Sequence, residues 1–278
     1  MKKLLISSPV YGTPDTAQVA WAYSAATNIL SRAPDVDFVP SLLGLSSDLV
    51  RARSRGIRYF LDSEATHYLM WDTDVVPRDL GLITIMINAG VDFITLPYPR
   101  KRVRWDALSL AVRDEDEQAA LGRQSPEELE GHSVDWPLRV LSAEGMRTVK
   151  AGAKEWPLVR VSECGMGFTM ITRRVAERMV QVYEKQTWQE TVWKPDVPGD
   201  PFGPGVWVEE RRSLVFNDDE GGKRTPTVAL FQLMQRNGEL CSEDYSFCYR
   251  WRDLGGDIWM LGDAASHIGN YRFGNTFR

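Results

Sequence analysis

The chain reads as an α/β protein in which a mostly parallel central sheet carries helices on both faces within a single domain. Two observations predict this. Over the first hundred residues, short apolar runs alternate with helix-period segments, a pattern that lays parallel strands side by side and returns the chain across them through helices. The apolar run His67-Tyr-Leu-Met-Trp71 then stops abruptly at Asp72-Thr73-Asp74. In open α/β sheets, ligands collect at such carboxyl ends of strands.

Taken in order, Leu4-Leu-Ile6 is a buried strand that runs into the turn-rich segment Ser7-Ser-Pro-Val-Tyr-Gly12. Thr13 has the character of an N-cap, with Pro14 at the first helical position. Val19, Ala22, Tyr23, Ala26, Ile29 and Leu30 then recur at helical spacing and form one apolar face. Val36-Asp-Phe-Val39 is the second strand. Ser47 is expected to cap a second helix with Leu49, Ala52, Gly56, Ile57, Phe60 and Leu61 inward and Arg51, Arg53, Arg55 and Arg58 on other faces. After the Asp-Thr-Asp strand come a helix from about Leu80 to Asn88 and the strand Val91–Leu96.

Residues 106–157 are charged and irregular, with Asp114-Glu-Asp-Glu117 and a capping box at Ser125-Pro-Glu-Glu128. They read as a surface insertion between a 1–105 half and a 158–278 half. Regular structure is expected again at Leu158–Val161, at Gly167–Ile171 and in a helix from Arg173 to Glu184. Residues 186–228, rich in Pro, Gly and Trp, read as a long loop kept from disorder by Trp188, Trp193 and Trp207. A helix from Ser242 to Leu254, a Gly255-Gly256 stop, the strand Asp257–Leu261 and a tail holding His267 complete the chain.

Composition excludes several classes. At 278 residues, 43% hydrophobic and 26% charged, the chain has the makeup of an ordinary globular protein with a sizeable core. No apolar run approaches the ~20 residues of a membrane span, and the run after Lys2-Lys3 is too short for a signal peptide. The three cysteines, Cys164, Cys241 and Cys248, lack C-x-x-C spacing. Their odd number argues against a disulfide framework and a zinc ribbon, and fits a cytoplasmic protein. A net charge of −5 is not that of a general polyanion binder.

Asp72 and Asp74 carry the chemistry most open to reading. Two carboxylates one residue apart on a turn can approach one hard cation from the same side, and Mg²⁺ or Mn²⁺ favours such oxygen ligands. A cation so held neutralises a diphosphate. Most such triplets are solvated turns; the buried strand in front of this one favours a site.

Seven segments in order, Ser7–Gly12, Ser47–Arg53, Tyr68–Val75, Pro97–Lys101, Cys164–Met170, Ser242–Phe247 and Ser266–Gly269, make the chain resemble nucleotide-sugar-dependent glycosyltransferases of the GT-A fold. Within them it is similar to the small soluble members of phage and bacterial genomes. The resemblance implies that Pro9, Val10, Tyr11 and Gly12 form a nucleotide-binding edge and that Arg53 reaches the nucleotide. The family often has Asn where this chain has Ser54. Asp72, Asp74 and His267 would hold Mn²⁺ or Mg²⁺, with Asp72 and Thr73 beside the ribose and Lys101 on phosphate. Asp244 would be the general base if the reaction inverts configuration, a retaining course being the alternative, with Glu243 as neighbour or substitute, and Gly165 and Gly167 would leave room for sugar or acceptor. The 1–105 half would bind the nucleotide and the 158–278 half the acceptor.

The donor class implied is a nucleoside-diphosphate sugar, a UDP-sugar first among them. Arg100-Lys-Arg-Val-Arg104 before Trp105, Arg211-Arg212 and Lys223-Arg224 are local basic clusters. Because the small members it resembles occur in phage genomes, the resemblance implies a hydroxymethylated base in DNA as acceptor, which these clusters would suit, although solvated surface is their plainer reading; a surface or capsular glycan is the other acceptor. A sugar-nucleotide nucleotidyltransferase and a non-catalytic nucleotide-sugar-binding module are the competing functions. The first is weakened by the lack of a glycine-rich phosphate loop after the first strand.

Overall fold

The computed structural model describes residues 2–9, 24, 27, 36–43, 48–105, 134–151, 154–195, 205–220, 223–263, 265–268 and 272–273. The strands are β1 Lys2–Pro9, β2 Val36–Leu43, β3 His67–Trp71, β4 Val75–Pro77, β5 Phe93–Thr95, β6 Leu138–Ala151, β7 Lys154–Cys164 and β8 Phe168–Thr172. There follow β9 Thr187–Pro195, β10 Gly205–Ser213, β11 Val215–Glu220, β12 Lys223–Val228, β13 Met234–Arg236, β14 Glu239–Cys241, β15 Ile258–Leu261, β16 Ala265–Ile268 and β17 Arg272–Phe273. The helices are α1 Leu49–Asp62, α2 Gly81–Asn88, α3 Arg173–Tyr183 and α4 Glu243–Asp253. The predicted helix over residues 13–30 and the capping box at 125–128 lie outside the described residues, apart from Ser24 and Thr27, which are helical.

An eight-stranded sheet runs in the order β2-β1-β3-β8-β5-β15-β7-β6. Its first three strands are parallel, as the alternation of strands and helices predicts. The rest corrects that expectation. β8 runs antiparallel to both β3 and β5, and β7 antiparallel to β15 and β6, so the sheet is mixed. Periodicity identifies a strand by its side chains; strand direction follows from which neighbour it meets, and β8 meets strands from the other half of the chain.

Two segments read as irregular are strands. Residues 138–151 form β6, paired through a bulged register with β7, so the surface insertion does not extend to residue 157. Residues 186–228 hold two hairpins, β9–β10 and β11–β12, with Trp193 and Trp207 opposite one another in register. The Pro and Gly residues that suggest a loop fall largely at 195–205, in the connection between β9 and β10.

Alternate residues of the central strands face opposite sides. Leu4, Ile6, Leu69 and Trp71 pack into one cluster with Leu82, Ile83 and Met86 of α2. Leu5, Tyr68 and Met70 pack into the other with Ile57 and Phe60 of α1, Met179 of α3 and Phe247 and Trp251 of α4. Burial on both sides explains why these strands read as continuous apolar runs, and helices do cover both faces. Two details differ on α1. Asp48, accepting from the Arg51 N–H at 3.2 Å, is its cap, and Leu49 is exposed while Arg53 is buried.

Candidate active site

The turn after β3 is closed by backbone hydrogen bonds. The Asp72 N–H donates to the Gly167 carbonyl at 2.8 Å, the Val75 N–H donates to the Asp72 carbonyl at 3.0 Å, and Trp71 Nε1 donates to the Val75 carbonyl at 2.7 Å. Asp72 is thereby held at the edge of the sheet rather than in a free loop. α1 delivers Arg53 to the same place, 3% exposed. Its Nη2 donates to Asp72 Oδ2 at 3.0 Å, and its Nη1 forms an ion pair with Asp244 and lies 3.9 Å from Glu243 Oε1. Burial alone lowers the guanidinium pKa; the charges of Asp72, Tyr98 and Glu243 outweigh it, and the net direction is upward. Arg53 is a permanent buried cation.

Glu243 and Asp244 arrive on a separate construction. A hairpin turn at Asn237-Gly238, with φ of 53° and 82°, links β13 to β14 and returns the chain to Ser242; Asn-Gly suits this left-handed turn. Ser242 caps α4 by accepting from the Tyr245 N–H at 3.4 Å. Asp244 is therefore not needed as a cap. Its Oδ2 accepts instead from the Met166 N–H at 3.0 Å, across the fold.

Met166 lies between Gly165 and Gly167, and Tyr98 explains both glycines. The Gly167 N–H donates to the buried Tyr98 hydroxyl at 2.8 Å. A Cβ at Gly165 would sit 2.4 Å from that hydroxyl, and one at Gly167 would sit 2.8 Å from it and 2.9 Å from Asp72 Oδ2. Burial, followed by the charge of Asp72, pushes the Tyr98 phenol up, so it stays protonated.

The predicted site residues thus converge from distant parts of the chain. Asp72, Arg53, Glu243, Asp244, Gly165 and Gly167 meet, and Lys101 forms an ion pair with Asp74 beside them. Among the described residues, Asp72, Glu243 and Asp244 meet Arg53, and Asp74 meets Lys101. Thr73 lies in the turn, and Pro9 ends β1, two residues beyond Ser7, which pairs with Met70. Val10, Tyr11 and Gly12 lie outside the described residues. His267 is paired through its backbone with Val75, next to Asp74; its side chain is outside the described set. Among the described residues no three His, Cys, Asp or Glu side chains gather where they could hold a metal ion.

Besides Asp244 Oδ1, which meets Arg53 as an ion pair, three buried oxygens in this region, Ser7 Oγ, Ser54 Oγ and Asp72 Oδ1, have no hydrogen-bond partner among the described residues. Buried polar atoms are rarely left so, and these fit a site whose partners arrive with a ligand. Sequence reasoning did not single out Tyr98, Ser7 or Met166. The signal for Tyr98 is an aromatic residue fixed between Pro97 and Pro99 two strands from the paired glycines. Ser7 and Met166 carry none.

No protein-family profile matches the chain, and no curated protein matches it in sequence. Solved structures similar to the chain at low identity include the following two. The crystal structure of A197 from STIV aligns with a TM-score of 0.43 and 14% identity, over 100% of this chain and 96% of that one. A UDP-glucose pyrophosphorylase from Leishmania major in complex with UDP-glucose aligns with a TM-score of 0.23 and 12% identity, over 76% of this chain and 48% of that one.

Proposed function

We propose that the protein is a metal-dependent glycosyltransferase that moves a sugar from a nucleoside-diphosphate sugar to a hydroxyl acceptor. The observation that carries this reading is the convergence of Asp72, Glu243 and Asp244 on the buried Arg53 at the carboxyl end of β3, with Asp74 in the same turn. Such a cluster of carboxylates suits one divalent cation. Asp72 and Asp74 would hold it, with His267 adjacent in register, and both donor types, carboxylate and imidazole, suit Mn²⁺, while the oxygens also suit Mg²⁺. Bound there, the cation would offset the diphosphate charge and make it a better leaving group.

The remaining work falls to this chain's own groups. Arg53 keeps the carboxylates apart and oriented. Asp244, or Glu243 beside it, takes the proton of the acceptor hydroxyl as the new glycosidic bond forms and the nucleoside diphosphate departs. Lys101, tied to Asp74, stands ready for a phosphate.

For the acceptor, the same site borders the basic segment 100–105. Arg100 Nη2 donates to the Tyr245 hydroxyl at 3.4 Å, one residue from Asp244, and Trp105 is 70% exposed. A cationic strip ending in an open indole suits phosphate contact and stacking of an exposed base, so we read a hydroxymethylated pyrimidine in DNA as the acceptor. Arg211 and Arg212 are exposed on β10, and the side chains of Lys223 and Arg224 lie outside the described residues.

The test is a screen of nucleotide sugars with hydroxymethylated DNA and with glycans, read by mass spectrometry with Mn²⁺, with Mg²⁺ and with EDTA. Transfer should require the metal and disappear in Asp74→Ala. Full activity of that variant in chelator would end the metal assignment. Transfer to glycan alone, with little dependence on salt, would end the DNA assignment.

A further inference from the structure

At the opposite edge of the main sheet, where β1 and β3 begin, lies a cavity of about 520 Å³ lined by Lys2, His67, Arg147, Arg174, Arg178 and Trp259 among others. The length of β3, five residues at about 3.3 Å each, separates it from Asp72 by roughly 17 Å. Two carboxylates border it and both are engaged. Asp92 pairs with Arg174 at 3.1 Å and accepts from Thr172 Oγ1 at 2.8 Å, and Asp257 pairs with Arg160 at 2.8 Å.

Three cations of the lining have no carboxylate partner among the described residues, and each is held by a neutral group. Lys2 Nζ donates to the Ile87 carbonyl at 3.0 Å and to Asn88 Oδ1 at 2.7 Å. Arg178 Nη2 donates to the Leu254 carbonyl at 3.0 Å. The Arg147 guanidinium sits 4.7 Å from the centre of the Trp259 ring. Such anchors orient a cation without neutralising it. Arg174 and Arg178, one turn apart on α3, share a helix face. In a protein of net charge −5, this concentration of uncompensated positive charge around one cavity calls for an anionic occupant.

We propose that this cavity binds a small phosphorylated anion, at a site separate from the carboxylate cluster. Guanidinium forks match phosphate oxygens in pairs, and the volume lies within the range of small-molecule pockets, about 300–1,000 Å³. His67 contributes hydrogen bonding rather than charge: burial, then Lys2, lowers its pKa to about 4, and its Nδ1 is engaged with Thr66 Oγ1 at 2.8 Å. A divalent cation is disfavoured by the sign of the lining. The phosphate can come as a free oligophosphate or as part of a nucleotide, and both present the same chemistry to the arginines.

The experiment is calorimetric titration with pyrophosphate and with a nucleoside diphosphate, in EDTA, on the wild type, on Arg147→Gln/Arg178→Gln and on Lys101→Gln. One saturable site is expected in the wild type and in Lys101→Gln, whose change lies at the other edge. The double variant should bind at least about tenfold more weakly, as loss of charged hydrogen bonds implies. If that variant does not fold by circular dichroism, Arg178→Gln alone carries the same expectation. Equal affinity for the two ligands assigns the site to the phosphate groups, and tighter nucleotide binding assigns it to a nucleotide. No saturation at millimolar ligand, undiminished affinity in the arginine variants, or loss in Lys101→Gln would overturn the proposal. So would binding, through the same arginines, of a DNA oligonucleotide but neither small ligand.

Discussion

Arg53 joins Asp72, Asp244 and Glu243, and the two carboxylates of α4 differ in how they meet it. Both Asp244 oxygens are engaged, one in an ion pair with Arg53 and one with the Met166 N–H, whereas Glu243 has, among the described residues, a single ion-pair partner at 3.9 Å and is 26% exposed. Asn at 244 can still accept from Met166 but cannot take a proton. We expect Asp244→Asn to leave the donor KM within a few-fold and cut kcat by ~10²–10⁴, the range for a lost general base. Glu243→Gln should be milder, and the reverse ranking in steady-state kinetics would move the base to Glu243. Arg53→Ala should lower stability by about 3 kcal/mol, because it leaves three carboxylates facing one another without their buried cation. Thermal melts should recover part of that loss on adding Mn²⁺ if a cation takes up the freed charge.

At the level of elements, the Gly165–Gly167 link carries both halves of the site. Its Gly167 carbonyl holds Asp72, its Met166 N–H holds Asp244, and Tyr98 holds the link itself. Gly165→Ala would drive a methyl group into the Tyr98 hydroxyl and should cost about 1–3 kcal/mol. Tyr98→Phe removes that hydroxyl but leaves the Gly167 N–H unpaired, costing a similar ~1–3 kcal/mol. Denaturant titration of the double variant should show less than the sum of the single costs, because the closest approach, to the hydroxyl, is gone while the ring carbon Cζ, 2.8 Å from a Cβ at residue 165, remains in the way. Strict additivity would mean that the glycine is required for another reason. The hairpins over 187–228 make a different point: their turn residues are visible in the sequence, yet their strands lack the continuous apolar runs that make β3 easy to read.

For the whole molecule, the carboxylate cluster and the cation-lined cavity lie at opposite ends of β3. His67 lines that cavity, and it makes stability depend on pH. Its folded pKa, about 4, lies below the ordinary value of 6.5, so the unfolded chain binds the proton more readily. Stability should therefore fall as pH drops from about 6.5 towards 4 and be unaffected by this group above that window. Thermal melts across the window should show the decline, and His67→Gln should flatten it; an equally steep decline in the variant would assign it to other groups. The basic strip at 100–105 gives a second expectation at this scale. DNA binding should weaken steeply with salt, and charge reversal at Arg102 and Arg104 should shallow that dependence while leaving donor hydrolysis intact.

Residue order alone was sufficient for β1, β3, α2, α3, α4 and the acidic turn at Asp72, since each announces itself within a few residues through apolar period, capping or an abrupt stop. It was also enough to name Arg53, Lys101, Glu243 and Asp244 as site candidates, because short ordered segments carry them. Strand direction was decided elsewhere. β8 enters between β3 and β5 against their direction, and only the packing of two distant chain segments sets that. The same holds for Arg53, whose helical phase points to no particular face until α1 packs against β1, and for Tyr98, whose role exists only because Gly165 and Gly167 approach it. Local interactions are written in consecutive residues. Contacts between residues 53, 72, 98, 166 and 244 become physical facts only when the chain closes on itself.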